Sequence, residues 1–182
     1  MKPTPAQARA ILHAAQPVCS AAAVTAAVAR IAAELNRALR DAHPLVLCVM
    51  RGGLVFAGQL LPQLDFPLEL DTLDVTRYHD ATRGGELIFR HLPATPVAGR
   101  TVLLLDDILD QGLTLAALRD KLLALGAARV LIAVFARKQS GRATPIGADF
   151  FGVELPDRYV FGFGMDVHGY WRNLPAVYAL HE

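Results

Sequence analysis

Cysteine is scarce in this chain. The two present, Cys19 and Cys48, lie far apart. Their spacing matches no metal or dithiol redox motif, which excludes both as the basis of function. Cys48 lies inside an apolar run and reads as a buried, inert thiol. Such sparse cysteine fits a reducing cytosol better than secretion. An excess of one charge is missing too, since 18 Lys and Arg face 17 Asp and Glu, for a net charge of +1. A nucleic-acid footprint needs a basic stripe, so no nucleic acid is expected as a partner. Long uninterrupted apolar runs are also lacking. The greasiest N-terminal stretch, CSAAAVTAAVARIAAEL, is broken by Arg30 and Glu34. No stretch reaches the ~18 apolar residues of a membrane span, and the charge pattern of a signal peptide is absent. A soluble cytoplasmic protein with no membrane partner is the expectation. There is no internal repeat, and no low-complexity segment beyond the alanine richness.

What is present is apolar residue in quantity. At 182 residues and 53% hydrophobic, the chain can bury one substantial core. A helix is expected over 20–41, with Ser20 as N-cap and Val24, Val28, Ile31, Leu35 and Leu39 at helical spacing. LVLCVM (45–50) is a short continuous apolar run, as a buried parallel strand would be. Arg51-Gly52-Gly53 breaks it, and LVFAGQLLPQL follows as a helix. LELDTLDVTRY (68–78) alternates like a strand with one covered face. HDATRGGE (79–86) reads as an exposed loop, with LIFRHL returning as a strand. TVLLLDD is a second buried strand, Gly112 to Leu125 a helix stopped by Gly126, and RVLIAVFA (129–136) the next strand. This alternation predicts an α/β fold with a mostly parallel central sheet flanked by helices. The tail is rich in Gly, Pro and aromatics. We read 1–182 as one domain, with the core sheet and its helices over 45–136 and a small flap over 137–182. DFFGVEL and YVFGFGM are short strand candidates within that flap. The N-terminal segment, MKPTPAQARAILHAAQPV, is expected to join the C-terminal segment in a small flap or hood, with Ile11 and Leu12 packing.

The chemistry concentrates in VLLLDDILDQGLTLAAL (102–118), where Asp106, Asp107 and Asp110 end an apolar run. Ligands of open α/β sheets bind beyond the carboxyl ends of strands. Gln111, Gly112, Leu113 and Thr114 would open a helix there, with backbone amides and the helix dipole favouring a phosphate. Paired carboxylates beside that turn can accept hydrogen bonds from a ribose diol or hold Mg²⁺ that the diol also touches. A sugar phosphate therefore fits the string. Ordinary helix capping would use the same acids. The glycines match neither a Walker loop nor a dinucleotide fingerprint.

With these residues in hand a family comes into view. VLLLDDILDQGLTL resembles the phosphoribosyl-pyrophosphate signature of the type I phosphoribosyltransferases. VMRGGLVFAGQLL resembles their pyrophosphate loop and following helix. GVELPDRYVFGFGMDVHGYWRNLPAVYAL resembles the purine-binding tail of the hypoxanthine-guanine phosphoribosyltransferases. The resemblance runs from about residue 45 to the C-terminus and implies a Mg²⁺-dependent reaction. Hypoxanthine or guanine would react with 5-phosphoribosyl-1-pyrophosphate to give IMP or GMP and pyrophosphate. A homodimer or homotetramer is implied as well.

Roles follow from the resemblance, residue by residue. Asp106 and Asp107 would hold the ribose hydroxyls and organise Mg²⁺. Asp110 would be the catalytic base near N7 of the purine, and the Gln111–Thr114 turn would take the 5-phosphate. Lys138 would donate to O6 and so reject adenine. Tyr159 would stack on the base, and Val160 would read its edge through the backbone. Asp166 would bring a carbonyl to the 2-position and a carboxylate toward Mg²⁺, and Arg172 would bind pyrophosphate. Arg51 and Gly52 would form the pyrophosphate loop, with a cis peptide at Met50–Arg51. Local pattern alone allows plainer duties: Lys138 a solvated strand end, Tyr159 core, Asp166 a turn cap, Arg172 a surface charge.

The chain departs from the family in three places. Arg51 stands where Lys is frequent, and Arg77-Tyr78 stands where the lid commonly starts with Ser-Tyr. Gln111-Gly112-Leu113 replaces a run such as Thr-Gly-Lys, a change that the backbone cradle tolerates. Two alternatives to the purine-salvage reading are a regulator that keeps the fold and senses phosphoribosyl pyrophosphate or a nucleotide, and a xanthine-preferring transferase.

Overall fold

A computed structural model describes residues 2–77 and 87–181. Tyr78 and the rest of the expected lid, to residue 86, lie outside the described residues. The chain starts with α1 (Pro5–Ala14), β1 (Gln16–Cys19) and α2 (Ala21–Leu39). Next come β2 (Leu45–Met50), α3 (Gly53–Leu60), β3 (Glu69–Arg77) and β4 (Leu87–His91). Then follow β5 (Thr101–Leu109), α4 (Leu113–Ala124), β6 (Arg129–Gln139) and β7 (Phe150–Pro156). Two short strands, β8 (Val160–Phe161) and β9 (Val177–Ala179), complete it.

Six strands form the main sheet in the order β4-β3-β2-β5-β6-β7. Only the β3–β4 pair is antiparallel. The continuous apolar runs are explained by cover on both faces. Val46, Cys48, Leu103, Leu105, Ala133 and Phe135 pack with α2 and α3. Their strand neighbours Leu45, Leu47, Val102, Leu104, Ile132 and Val134 pack with α4. Side chains alternate along a strand, so each of β2, β5 and β6 feeds two cores. The expected helix after the glycine pair is α-helical only to Leu60 and then tightens into a 3-10 turn over Leu61–Gln63. Pro62 has no N–H to continue the ladder. Ser20 caps α2 as expected, its hydroxyl accepting from the Ala23 amide at 3.2 Å.

One expectation needs correction. The segment DFFGVEL, expected in the flap, forms β7, the outer strand of the main sheet, in parallel register with β6 from Ala133↔Phe150 to Gln139↔Pro156. The last apolar strand of the core, β6, needs a neighbour for its outer backbone groups, and β7 supplies one. The N-terminal segment contributes to the hood, as expected. Thr4 and Gln7 form a reciprocal capping box around Pro5, which starts α1. Ala8 is its buried residue, while Ile11 and Leu12 stay only partly covered. Beyond it, β1 pairs with β9 and β9 with β8, so the two ends of the chain build a small hood sheet. Phe163 joins hood to core, with its ring centroid 4.5 Å from that of Phe135.

Asp71 on β3 ties that strand to the loop before β5. Its carboxylate accepts the amides of Thr95 at 2.8 Å and Thr72 at 2.7 Å. These bonds, Thr95's foremost, hold its carboxyl below the usual range. The stabilisation is complete above the ordinary carboxylate pKa and disappears as pH falls through the lowered one. Asp71→Ala should cost about 1 kcal/mol at neutral pH, because water screens part of the interaction. Denaturant midpoints of parent and variant should converge in acid, as pH falls through the lowered value. Among the described residues no helix is long and apolar enough to cross a membrane.

Candidate active site

Three parallel strands deliver chemistry to one edge of the sheet. At their carboxyl ends β2 runs into Arg51-Gly52, β5 carries Asp106 and Asp107, and β6 carries Lys138. Two hollows open there and share Ile108 and Asp110.

The first hollow, about 300 Å³, is lined by Asp106 and by residues 108–115. Gly112 takes φ +73° and acts as the cap residue of α4. That left-handed turn lets the chain pass directly from strand to helix. A side chain at Gly112 would press on Ile146, Leu109 and Thr144, so the loop after β6 backs this turn. The first helical bond runs from the Ala116 amide to the Gly112 carbonyl. Gln111, Gly112, Leu113 and Thr114 thus form the positive end of α4 and face the hollow, which is the geometry of an anion site.

The second hollow, about 240 Å³, gathers Asp107, Ile108, Asp110, Lys138, Tyr159, Val160, Met165, Asp166 and Arg172. Strand alternation explains why Asp106 lines one hollow and Asp107 the other. Lys138 is only 13% exposed, and its Nζ lies 2.9 Å from Asp110 Oδ2. Tyr159 stays 54% exposed at the lip, with its hydroxyl donating to the Asp166 carbonyl at 3.1 Å. Val160 and Met165 supply buried apolar wall.

Asp166 does cap its turn, Oδ2 accepting the Gly169 amide at 2.7 Å, while Oδ1 pairs with Arg172. Arg172 also donates to the Gly164 carbonyl at 2.6 Å. Both oxygens of the Asp166 carboxylate are therefore engaged by the chain itself. Burial pushes the carboxyl of Asp106 well up, and the neighbouring Asp107 charge pushes it further. Asp107 is raised by burial too, against the opposing hydrogen bond to Asp106 and the positive charge of Arg172. Two partly buried acids that resist ionisation together call for a cation or hydroxyl donors above them. Among the described residues no group of three or more His, Cys, Asp or Glu side chains is placed to hold a metal.

The Met50–Arg51 peptide is cis, as the resemblance implied. Gly52 lies so close to Asp107 that a Cβ there would overlap its carboxylate. Gly164, at φ +99°, lies in turn against the Gly52 carbonyl. The loop 51–53 is thus wedged between the paired acids and the hood. The Arg51 side chain is exposed and lines neither hollow. Arg77 ends β3, and its expected lid partner Tyr78 is outside the described residues. Sequence reasoning missed Ile108, Met165, Leu115 and Gly164. Ile108 and Leu115 follow from the strand-to-helix string, and the GFG spacing marks Gly164; Met165 had no signal of its own.

A model of the phosphoribosyl transferase domain matches residues 20–168. The chain belongs to the phosphoribosyltransferase family. Its relatives place it in the hypoxanthine-guanine branch. The hypoxanthine-guanine phosphoribosyltransferase of Bacillus subtilis is 39% identical over 152 residues, 82% of this chain and 84% of that protein. The hypoxanthine-guanine-xanthine enzyme of Tritrichomonas foetus is 33% identical over 85% of each chain. A solved hypoxanthine-guanine-xanthine phosphoribosyltransferase superposes with a TM-score of 0.83 at 30% identity, covering 92% of this chain and 97% of its own. A hypoxanthine phosphoribosyltransferase structure from Staphylococcus aureus reaches 0.88 over 94% and 95%, and at 23% identity it speaks for the fold. The chain is a phosphoribosyltransferase of purine salvage.

Proposed function

We propose that this phosphoribosyltransferase joins hypoxanthine or guanine to 5-phosphoribosyl-1-pyrophosphate, releasing IMP or GMP and pyrophosphate. One observation carries the reading: Asp110 lies on the border of both hollows and holds Lys138, so a purine and a phosphorylated sugar would meet over it. The 5-phosphate takes the Gln111–Thr114 turn and the ribose diol lies over Asp106 and Asp107. The purine enters the second hollow, stacked on Tyr159 with its edge along the Val160 backbone. Lys138 turns from Asp110 to O6, which is an acceptor in these purines and an amino donor in adenine. N9 bonds to C1 of the ribose as the C1–O bond to pyrophosphate breaks, and the proton on N7 passes to Asp110. Arg172 turns from Asp166 toward the departing pyrophosphate, which needs its charge neutralised.

Mg²⁺ fits this site through Asp106 and Asp107, whose raised pKa values a cation would relieve. Mg²⁺ commonly takes one or two carboxylates and completes its shell with substrate oxygens and water. It would supply charge neutralisation on the pyrophosphate. The reading also includes a cytoplasmic homo-oligomer, for which the sparse cysteine and the family resemblance are the support.

The direct test mixes the protein with Mg²⁺, phosphoribosyl pyrophosphate and each purine, xanthine included, and follows nucleotide formation by absorbance. Product from neither hypoxanthine nor guanine would remove this reading. Lys138→Ala should raise the purine KM about tenfold or more, the worth of one charged hydrogen bond, and change the phosphoribosyl-pyrophosphate KM far less. Equal losses in both constants would contradict the O6 role.

A further inference from the structure

The turn that carries Asp166 and Arg172 is held from outside the purine site. Three of its residues take left-handed backbone: His168 at φ +54°, Gly169 at φ +87° and Trp171 at φ +70°. A bulky residue adopts that conformation only where its surroundings impose it. For Trp171 the surroundings are α1. Its indole Nε1 donates to the Ala8 carbonyl at 2.8 Å, and the hydroxyl of Tyr170 donates to the Pro3 carbonyl at 3.0 Å. Ala8 is also the buried residue of α1. Arg172 follows at once in the chain. Its guanidinium is aimed by the Gly164 carbonyl and the Asp166 carboxylate.

We propose that Trp171 is a positioning residue, which α1 grips through the indole N–H so that Arg172 leaves the backbone in the direction the pyrophosphate needs. The N-terminal segment then has a task in the reaction without reaching the reactants. The inference rests on the proposed role of Arg172 as pyrophosphate ligand.

Trp171→Phe keeps an aromatic ring and deletes the N–H. In the full chain it should raise the KM for phosphoribosyl pyrophosphate about fivefold, the worth of one neutral hydrogen bond. The purine KM and kcat should stay within about twofold, because Lys138 and Asp110 are untouched. A lower melting temperature with an unchanged phosphoribosyl-pyrophosphate KM would overturn the proposal and leave a structural tie only. A second readout needs no turnover. Trp171 is the sole tryptophan of the chain, so its emission reports this turn directly. Titrating inorganic pyrophosphate with Mg²⁺ onto the parent should change that emission, and Tyr170→Phe, which retains the indole, should weaken the apparent affinity. A silent indole in the parent would overturn the proposal. If the parent makes no nucleotide yet pyrophosphate still perturbs Trp171, the purine reading falls and the grip stands. If nucleotide forms and Trp171→Phe matches the parent in both KM values, the grip falls and the purine reading stands.

Discussion

Asp110→Asn should slow turnover by about a hundredfold or more while nucleotide affinity stays within a few-fold. The substitution preserves shape and leaves an oxygen to accept from Lys138, now 2.9 Å from the carboxylate. What it deletes is the ability to take a proton from N7. Asp110 is 42% exposed, so the fold should feel the exchange little, and the melting temperature should hold. Steady-state rates beside calorimetric titration with IMP separate the two effects. A variant that runs at the parent rate would show that the proton goes elsewhere.

Gly164→Ala should damage both activity and stability. The backbone there has φ +99°, a region that L side chains rarely adopt. The added methyl would also overlap the Gly52 carbonyl, and its neighbour is the Asp107 side chain. Either the hood lifts or the 51–53 loop is pushed onto the paired acids. Each outcome separates the Arg172 carbonyl anchor from the carboxylates it faces. We expect a loss of about 2–4 kcal/mol in stability and more than tenfold in kcat/KM. Gly58→Ala, on an exposed helix position with open space around the new methyl, is the control and should be neutral or slightly stabilising. A Gly164→Ala protein as active and stable as the parent would mean that the wedge is not needed.

The core was legible because its signals are local. Apolar runs of strand length announced β2, β5 and β6, and Ser20 and Gly112 announced where α2 and α4 begin. The site was legible where one string carries it: Asp106 to Thr114 folds as a unit at a strand end. The hood was harder. QPVC (16–19) has neither the length nor the alternation of a strand, and it becomes one only because Tyr178 and its neighbours lie alongside. For β7 the outcome turned on a partner, since FFGVELP reads the same in a flap or at a sheet edge. Arg51 carried a family role in the sequence, yet its exposed side chain lines neither hollow; what the structure brings inward is the glycine after it. Asp166 shows the converse, a residue whose plain duty as turn cap coexists with a place in the second hollow.

The pairing of Gln16 with Ala179 has a consequence for how the molecule comes into being. A nascent chain leaving the ribosome can form β2, β5 and β6 well before β9 exists, so β1 must wait, edge bare, until Ala179 has emerged. Closing so distant a contact is entropically slow. The central strands are thus in place before the hood can close, and any recognition that depends on the hood arrives last.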